Sequence, residues 1–174
     1  CTLNPLQKTG GTYTEGNLKV VSESSTYKQY YGTMGMSSGK WYWECKIIDS
    51  GSVALNTQIG IQADHGQGFD ANGTAQGSAG ITGGGADSYA YRDSDGNKMN
   101  NAGAGSGNAY GDSFANGDVI GVIVDMDDGK IWWSKNGTVQ TGGDPANGTG
   151  YAFDNLLTNG LAFTGMHYFP AIHL

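Results

Sequence analysis

Charge is scarce in this sequence and mostly of one sign: 14% of residues are charged, with Lys and Arg totalling 9 against 16 Asp and Glu. A protein that grips phosphate backbones needs clustered cations to displace counterions. Here Lys8, Lys19, Lys28, Lys40, Lys46, Arg92, Lys98, Lys130 and Lys135 are scattered along the chain. Nucleic acid is therefore not an expected partner, and neither is an anionic membrane surface. No apolar run is long enough to cross a bilayer, so membrane insertion is not expected either. No signal peptide is visible. The chain does not open with Met, and it is expected to be one domain cut from something longer. Histidine is sparse too: His65, His167 and His173 lack zinc-type spacing. Cysteine is limited to Cys1 and Cys45, and spacing alone leaves their pairing open.

Helical periodicity is also missing, and alternation takes its place. Leu18–Val21, Thr33–Met36, Lys40–Ile48, Gln58–Gln62, Ser88–Arg92, Val119–Met126, Lys130–Ser134 and Tyr168–Ile172 read as strands. Glu15-Gly16-Asn17 reads as a turn, and Asp127-Asp128-Gly129 joins the clearest hairpin, because Asp-Gly supplies the positive φ of a tight turn. Lys135-Asn136-Gly137 supplies another. Gly is abundant at 31 while Pro is only 3, which fits many tight turns and no collagen-like repeat. Residues 64 to 111 are rich in Gly, Ala, Asn, Ser and Asp and read as surface loops around the Ser88–Arg92 strand. At 174 residues the chain suits one domain, and many short strands predict an all-β, two-sheet antiparallel sandwich. Cys45 shares the parity of Trp41, Trp43 and Ile47, so it is expected on the core face as a small apolar residue.

Catalytic patterns are absent. Asp125, Asp127 and Asp128 precede Gly129 at the wrong position for an EF-hand loop, and Asp93-x-Asp95-Gly96 has the same defect. Both read as turns, and no metal or cofactor is expected. Glycoside hydrolysis needs two carboxylates across a bond, and no Glu-x-Asp-x-x-Glu strand occurs. No Gly-x-Ser-x-Gly elbow occurs either. The sequence is not read as an enzyme. Asn-Gly-Thr sequons at Asn72, Asn136 and Asn147 read as loop or turn positions.

Several landmarks fall in one order. Ser38-Gly39-Lys40-Trp41-Tyr42-Trp43-Glu44-Cys45 resembles the "GKxYWEV" strand of SPRY domains, with Cys45 in place of the usual Val. Ile59-Gly60-Ile61 is similar to that family's "xGh" strand, and Tyr89-Ala90-Tyr91 with Asp95-Gly96 to its aromatic strand and turn. Tyr110-Gly111 through Phe114, then Asn116-Gly117-Asp118-Val119-Ile120-Gly121-Val122, Asp125 and Ser134-Lys135-Asn136-Gly137, resembles "GDxIGVxxD…FxKNG". Phe169-Pro170-Ala171 resembles the late "hPA" strand. The resemblance spans residues 38 to 172. It implies a concanavalin-like sandwich of the jelly-roll kind and a role as a non-catalytic interaction module. The family's final strand, ending near "NFG", has no counterpart before Leu174, so the expectation is that either another segment or chain fills that sheet position or the sequence is a truncated portion. The Gly- and Asn-rich loops and Leu3-Asn4-Pro5-Leu6 resemble SPRY copies in phage and environmental viral proteins.

These observations point to binding of a protein partner or host receptor, in a virion or extracellular surface protein, with a cytoplasmic setting as the alternative. Aromatic and polar residues outside the motifs are the candidate contacts: Tyr27, Tyr30, Tyr31, Asp64, His65, Phe69, Arg92 and Tyr110. Trp132 joins them because alternation turns it away from the core position of Trp133. Two alternatives stand beside this reading: a structural module packing against other copies or chains of a viral particle or fibre, and a lectin-like carbohydrate binder.

Overall fold

A computed structural model describes residues 1–6, 11–22, 28–48, 57–63, 88–100, 107–158 and 167–174. Twelve strands are formed among them: β1 (Thr12–Thr14), β2 (Lys19–Val21), β3 (Gln29–Tyr31), β4 (Lys40–Lys46), β5 (Gln58–Ala63), β6 (Ser88–Arg92), β7 (Asn97–Met99), β8 (Asn108–Ala109), β9 (Val119–Asp125), β10 (Lys130–Lys135), β11 (Thr138–Val139) and β12 (Tyr168–His173). A four-stranded sheet runs β11-β10-β9-β4, a six-stranded sheet runs β3-β12-β5-β6-β7-β8, and β1 pairs with β2. All pairings are antiparallel.

Alternation decides what faces the core. From one sheet come Ile120, Val122, Val124, Ile131 and Trp133; from the other come Ile59, Ile61, Tyr89, Tyr91 and Tyr168. All ten are fully buried. Trp41, Trp43 and Cys45 pack against the same core from β4 but stay half-buried. Burial pushes the Cys45 thiol up to about 11, as for a small apolar residue and unlike a reactive nucleophile. Both cysteines are free thiols.

Turn chemistry fixes the hairpins. Asp125 Oδ1 accepts the backbone N–H groups of Asp127 and Asp128, both at 3.1 Å, and Gly129 closes the turn at φ +68°. Asp125 Oδ2 accepts from Lys40 Nζ at 2.7 Å. Burial pulls the Asp125 carboxyl up, but Lys40 and the two turn N–H groups outweigh it and hold it below its usual range. These carboxylate oxygens serve the turn. Asn136 and Gly137, at φ +51° and +80°, turn β10 into β11. The Asn136 side chain accepts Val119 N–H at 2.9 Å and donates to Asp118 at 2.8 Å. Asp118 also accepts Ala115 N–H at 2.9 Å, which with Asn136 and Lys135 holds its carboxyl low.

The expected strand at Thr33–Met36 is not formed. Only Met36 makes a bridge, to Tyr168, and the three residues before it run as irregular chain. Gly35 explains the arrangement, since an added Cβ would lie 2.9 Å from both His167 and Phe169. The chain passes too close to β12 there for a second regular strand. β12 itself has neighbours on both sides, β3 and β5. The outer side of β3 is met by the N-terminal residues, with Asn4 N–H donating to Tyr31 O at 2.8 Å and Leu3 bridging Gly32.

The central strands β5 and β6 are buried on their second face as well. Gln29, His173, Gln58 and Arg92 form one row across four strands, and the last three are nearly inaccessible. Of the two Gln in β5, Gln58 belongs to this row, and Gln62 accepts from the Tyr31 hydroxyl at 2.8 Å. Burial lowers the His173 imidazole from its usual value to about 4. A base whose folded pKa is depressed binds more protons when unfolded, so its stabilising effect is complete above about pH 6.5 and fades towards pH 4. The expected loss over that window is on the order of 3 kcal/mol. Urea midpoints measured from neutral pH down to about pH 4 should fall more steeply in the wild type than in His173→Gln, which keeps only the shallower loss from carboxyls such as Asp118 and Asp125 below about pH 5.

Candidate interaction site

The outer face of the four-stranded sheet was the expected home of Trp132, and it does point there, opposite Ile123 of β9. It is nevertheless fully buried. Residues 140–151 fold back across it: Trp132 Nε1 donates to Thr149 O at 2.9 Å, and the Tyr151 ring stands edge-on at 6.4 Å. Gly143 permits this cover, because a Cβ there would lie 2.8 Å from the Trp132 ring. Trp132 anchors a loop and presents no side-chain surface outward.

Four other candidates are also inside. Tyr30 is fully buried and packs edge-on to Tyr13. Tyr31 donates to Gln62 Oε1 at 2.8 Å. Arg92 grips Asp95 with Nε at 3.0 Å and with Nη2, which holds the Asp95 carboxyl low. The Tyr110 hydroxyl accepts Trp133 N–H at 3.1 Å. Tyr27, Asp64, His65 and Phe69 lie outside the described residues. The strand ends next to them are far apart: Ala63, beside Asp64, pairs with Tyr168, whereas Lys28, beside Tyr27, pairs with Leu174 at the other end of β12.

Tyr110 nonetheless leads to a surface feature. Its backbone, with Ala109, Gly111 and Asp112, forms one wall of an open cleft of about 550 Å³, and residues 138–142 form the other. The walls are the free margins of the two sheets, β8 and β11. Beneath them the aromatic side chains are locked together: Tyr91 stacks on Trp133, Tyr110 stands edge-on to both, and Phe114 lies against Tyr91. Trp133 Nε1 donates to Ile59 O at 3.0 Å, tying this floor to the opposite sheet. Gln140 clamps the walls, accepting Asp112 N–H at 2.9 Å through Oε1 and donating to Thr138 O at 3.0 Å through Nε2. Thr141, exposed on the rim, sits at φ +56°, a costly conformation for a β-branched residue. Sequence reasoning missed Gln140 and Thr141 because nothing in Thr-Val-Gln-Thr-Gly-Gly signals a strained rim.

Among the described residues the cleft holds no reactive constellation. The carboxylate at its edge, Asp112, has neither a histidine nor a second carboxylate among the lining residues. Among the described residues no group of three or more His, Cys, Asp or Glu could hold a metal.

The family model described as SPRY domain matches residues 40–169. The chain belongs to the SPRY family. Ran-binding protein 9 of Xenopus laevis is 32% identical over 104 residues, covering 57% of this chain and 16% of that protein, and its Xenopus tropicalis counterpart matches equally. The SPRY match thus occupies a small part of those longer relatives. The crystal structure of the SPRY domain of human HERC1 superposes with a TM-score of 0.69 at 17% identity, over 99% of this chain and 89% of that one. A further human SPRY domain gives 0.60 at 19% identity, over 100% and 91%. At such identities the likeness is one of fold. SPRY domains are protein-interaction modules and are typically non-catalytic, the expectation set by the motif order.

Proposed function

We propose that this SPRY domain binds an extended segment of a protein partner in the cleft between β8 and β11, as the recognition part of a virion or cell-surface protein. The cleft carries the reading. Its walls are two strand margins clamped together by Gln140 over a buried, interlocked aromatic cluster, and its rim holds a strained residue of the kind that clusters at binding sites. A host receptor as the partner, and the exterior setting, are supported by composition alone: 31 Gly, 3 Pro and a thinly charged, Asn- and Ser-rich surface. Tyr27, Asp64, His65 and Phe69 stay in the proposal as contacts for the part of the partner beyond the cleft.

Panning a displayed peptide library against the domain tests this. Selected binders should lose at least about tenfold in affinity, or about 1.4 kcal/mol, with Thr141→Arg, which fills the rim without touching the floor. Binders indifferent to Thr141→Arg but abolished by His65→Ala with Phe69→Ala would move the site to the segment that carries those two residues. Hits on a glycan array in place of peptides would favour carbohydrate.

A further inference from the structure

The four-stranded sheet ends at β4, a seven-residue strand with no described strand on its other side. Register shows which groups are left over. Ile47 N–H donates to Asp118 O and Met126 N–H donates to Gly39 O, both at 2.9 Å, so odd-numbered residues of this segment direct their backbone groups at β9. In an antiparallel pair the alternate residues point the other way. The N–H and C=O groups of Lys40, Tyr42, Glu44 and Lys46 therefore line an open margin. Neither proline nor a bulge interrupts it, though natural edge strands commonly carry one or the other. Among the described residues the core beneath is incompletely closed, since Trp41, Trp43 and Cys45 are only half-buried, and Trp43 Nε1 finds no acceptor there. On the outer face Tyr42 is 57% exposed beside Lys40 and Glu44.

We infer that a second copy of this chain adds to that margin, β4 against β4, antiparallel about a twofold axis through Tyr42. Charge selects both the occupant and the register. With the axis at Tyr42, Lys40 of each copy faces Glu44 of the other, Tyr42 faces Tyr42, and all these residues bring outward backbone groups to the ladder. Moving the axis to Trp43 sets Lys40 against Lys46 at both ends, and moving it to Glu44 sets two carboxylates against each other. Opposite charges directly across a ladder stabilise it and like charges destabilise it. Lys40 already pairs with Asp125, but its ammonium has three donors and reaches both. On the core side Trp41 of one copy meets Trp43 of the other, covering the aromatic surface each leaves half-exposed. The product is a continuous sheet built from two four-stranded halves, and it leaves the β8–β11 cleft open in each copy.

Sedimentation equilibrium from micromolar to submillimolar protein tests this. The wild type should populate a dimer. Tyr42→Pro removes an outward N–H without touching the β9 ladder and should give a monomer with an unchanged far-UV spectrum. Glu44→Lys places like charges at both ends and should weaken the dimer at least about tenfold, whereas Lys46→Glu should leave it as it was. Glu44→Lys remains decisive if the proline variant does not fold. A wild type that stays monomeric throughout, or a dimer indifferent to Glu44→Lys, overturns the inference. So does a dimer that tightens with Lys46→Glu.

Discussion

Gly60→Val is expected to abolish folding, with no cooperative unfolding transition at any temperature. A Cβ at residue 60 would lie 1.8 Å from the Tyr89 carbonyl oxygen and 2.9 Å from Ala90 Cα, both backbone atoms of the paired strand. A flexible side chain could turn aside, but β6 cannot. It is held by β5 on one side and β7 on the other, and Tyr89 and Tyr91 are fixed in the core. Most overpacking substitutions cost about 1–3 kcal/mol because neighbours relax. Here relaxation means separating the central strands, so the penalty should lie beyond the usual range, on the order of 5 kcal/mol or more, against a total stability of about 5–15 kcal/mol. Circular dichroism of the purified variant checks it, with Gly16→Ala as a comparison, since residue 16 has nothing within 4 Å and only its φ of +66° to strain, a cost of about 1–2 kcal/mol that should leave the domain folded. A folded Gly60→Val would mean that β5 and β6 are not this close.

Trp133→Ala should cost about 3–5 kcal/mol, as for other large aromatic truncations in cores. Trp133 is the hub of the floor beneath the cleft: Tyr91, Tyr110 and Phe153 all pack on it, and its Nε1 bonds to Ile59 O across the sandwich. Removing it opens a cavity between the sheets and leaves the Tyr91 and Tyr110 rings without their common neighbour. Urea denaturation gives the loss directly. Trp133→Phe should recover much of it while still lacking the bond to Ile59. Peptide affinity in the cleft should fall with Trp133→Ala even where the variant remains folded, because the walls rest on this ring.

Strands with several alternating apolar residues were legible from sequence. β4, β5, β6, β9, β10 and β12 match the expected segments to within a residue or so at their ends, because one buried face demands that period. β1, β3, β7, β8 and β11 span two or three residues each, too few for alternation to register. Gly121 has a packing reason to be Gly: Ser134 Oγ and the Tyr42 ring close over the space a Cβ would need. The site was less legible. Tyr31, Arg92, Tyr110 and Trp132 carry a polar handle on a large body, and sequence alone does not say where that handle bonds. In the fold it bonds to Gln62, Asp95, Trp133 N–H and Thr149 O. The buried polar row through Gln58 and His173 was invisible for a related reason. Its Gln residues alternate with Ile59 and Ile61 just as solvent-facing residues would.

The place of β12 bears on how the chain comes together during synthesis. It is the last of the twelve described strands in sequence order, yet it lies inside the larger sheet, between β3 and β5. Until Tyr168–His173 leaves the ribosome, β3 lacks its partner and β5 exposes one bare margin, with Ile59 and Ile61 facing an unfinished layer. The β9–β10 hairpin, by contrast, closes over a few residues and can form early, whereas β4 must find β9 across more than seventy intervening residues. Such distant pairing is slow. The nascent domain thus keeps sticky, unmatched strands until β12 has been made.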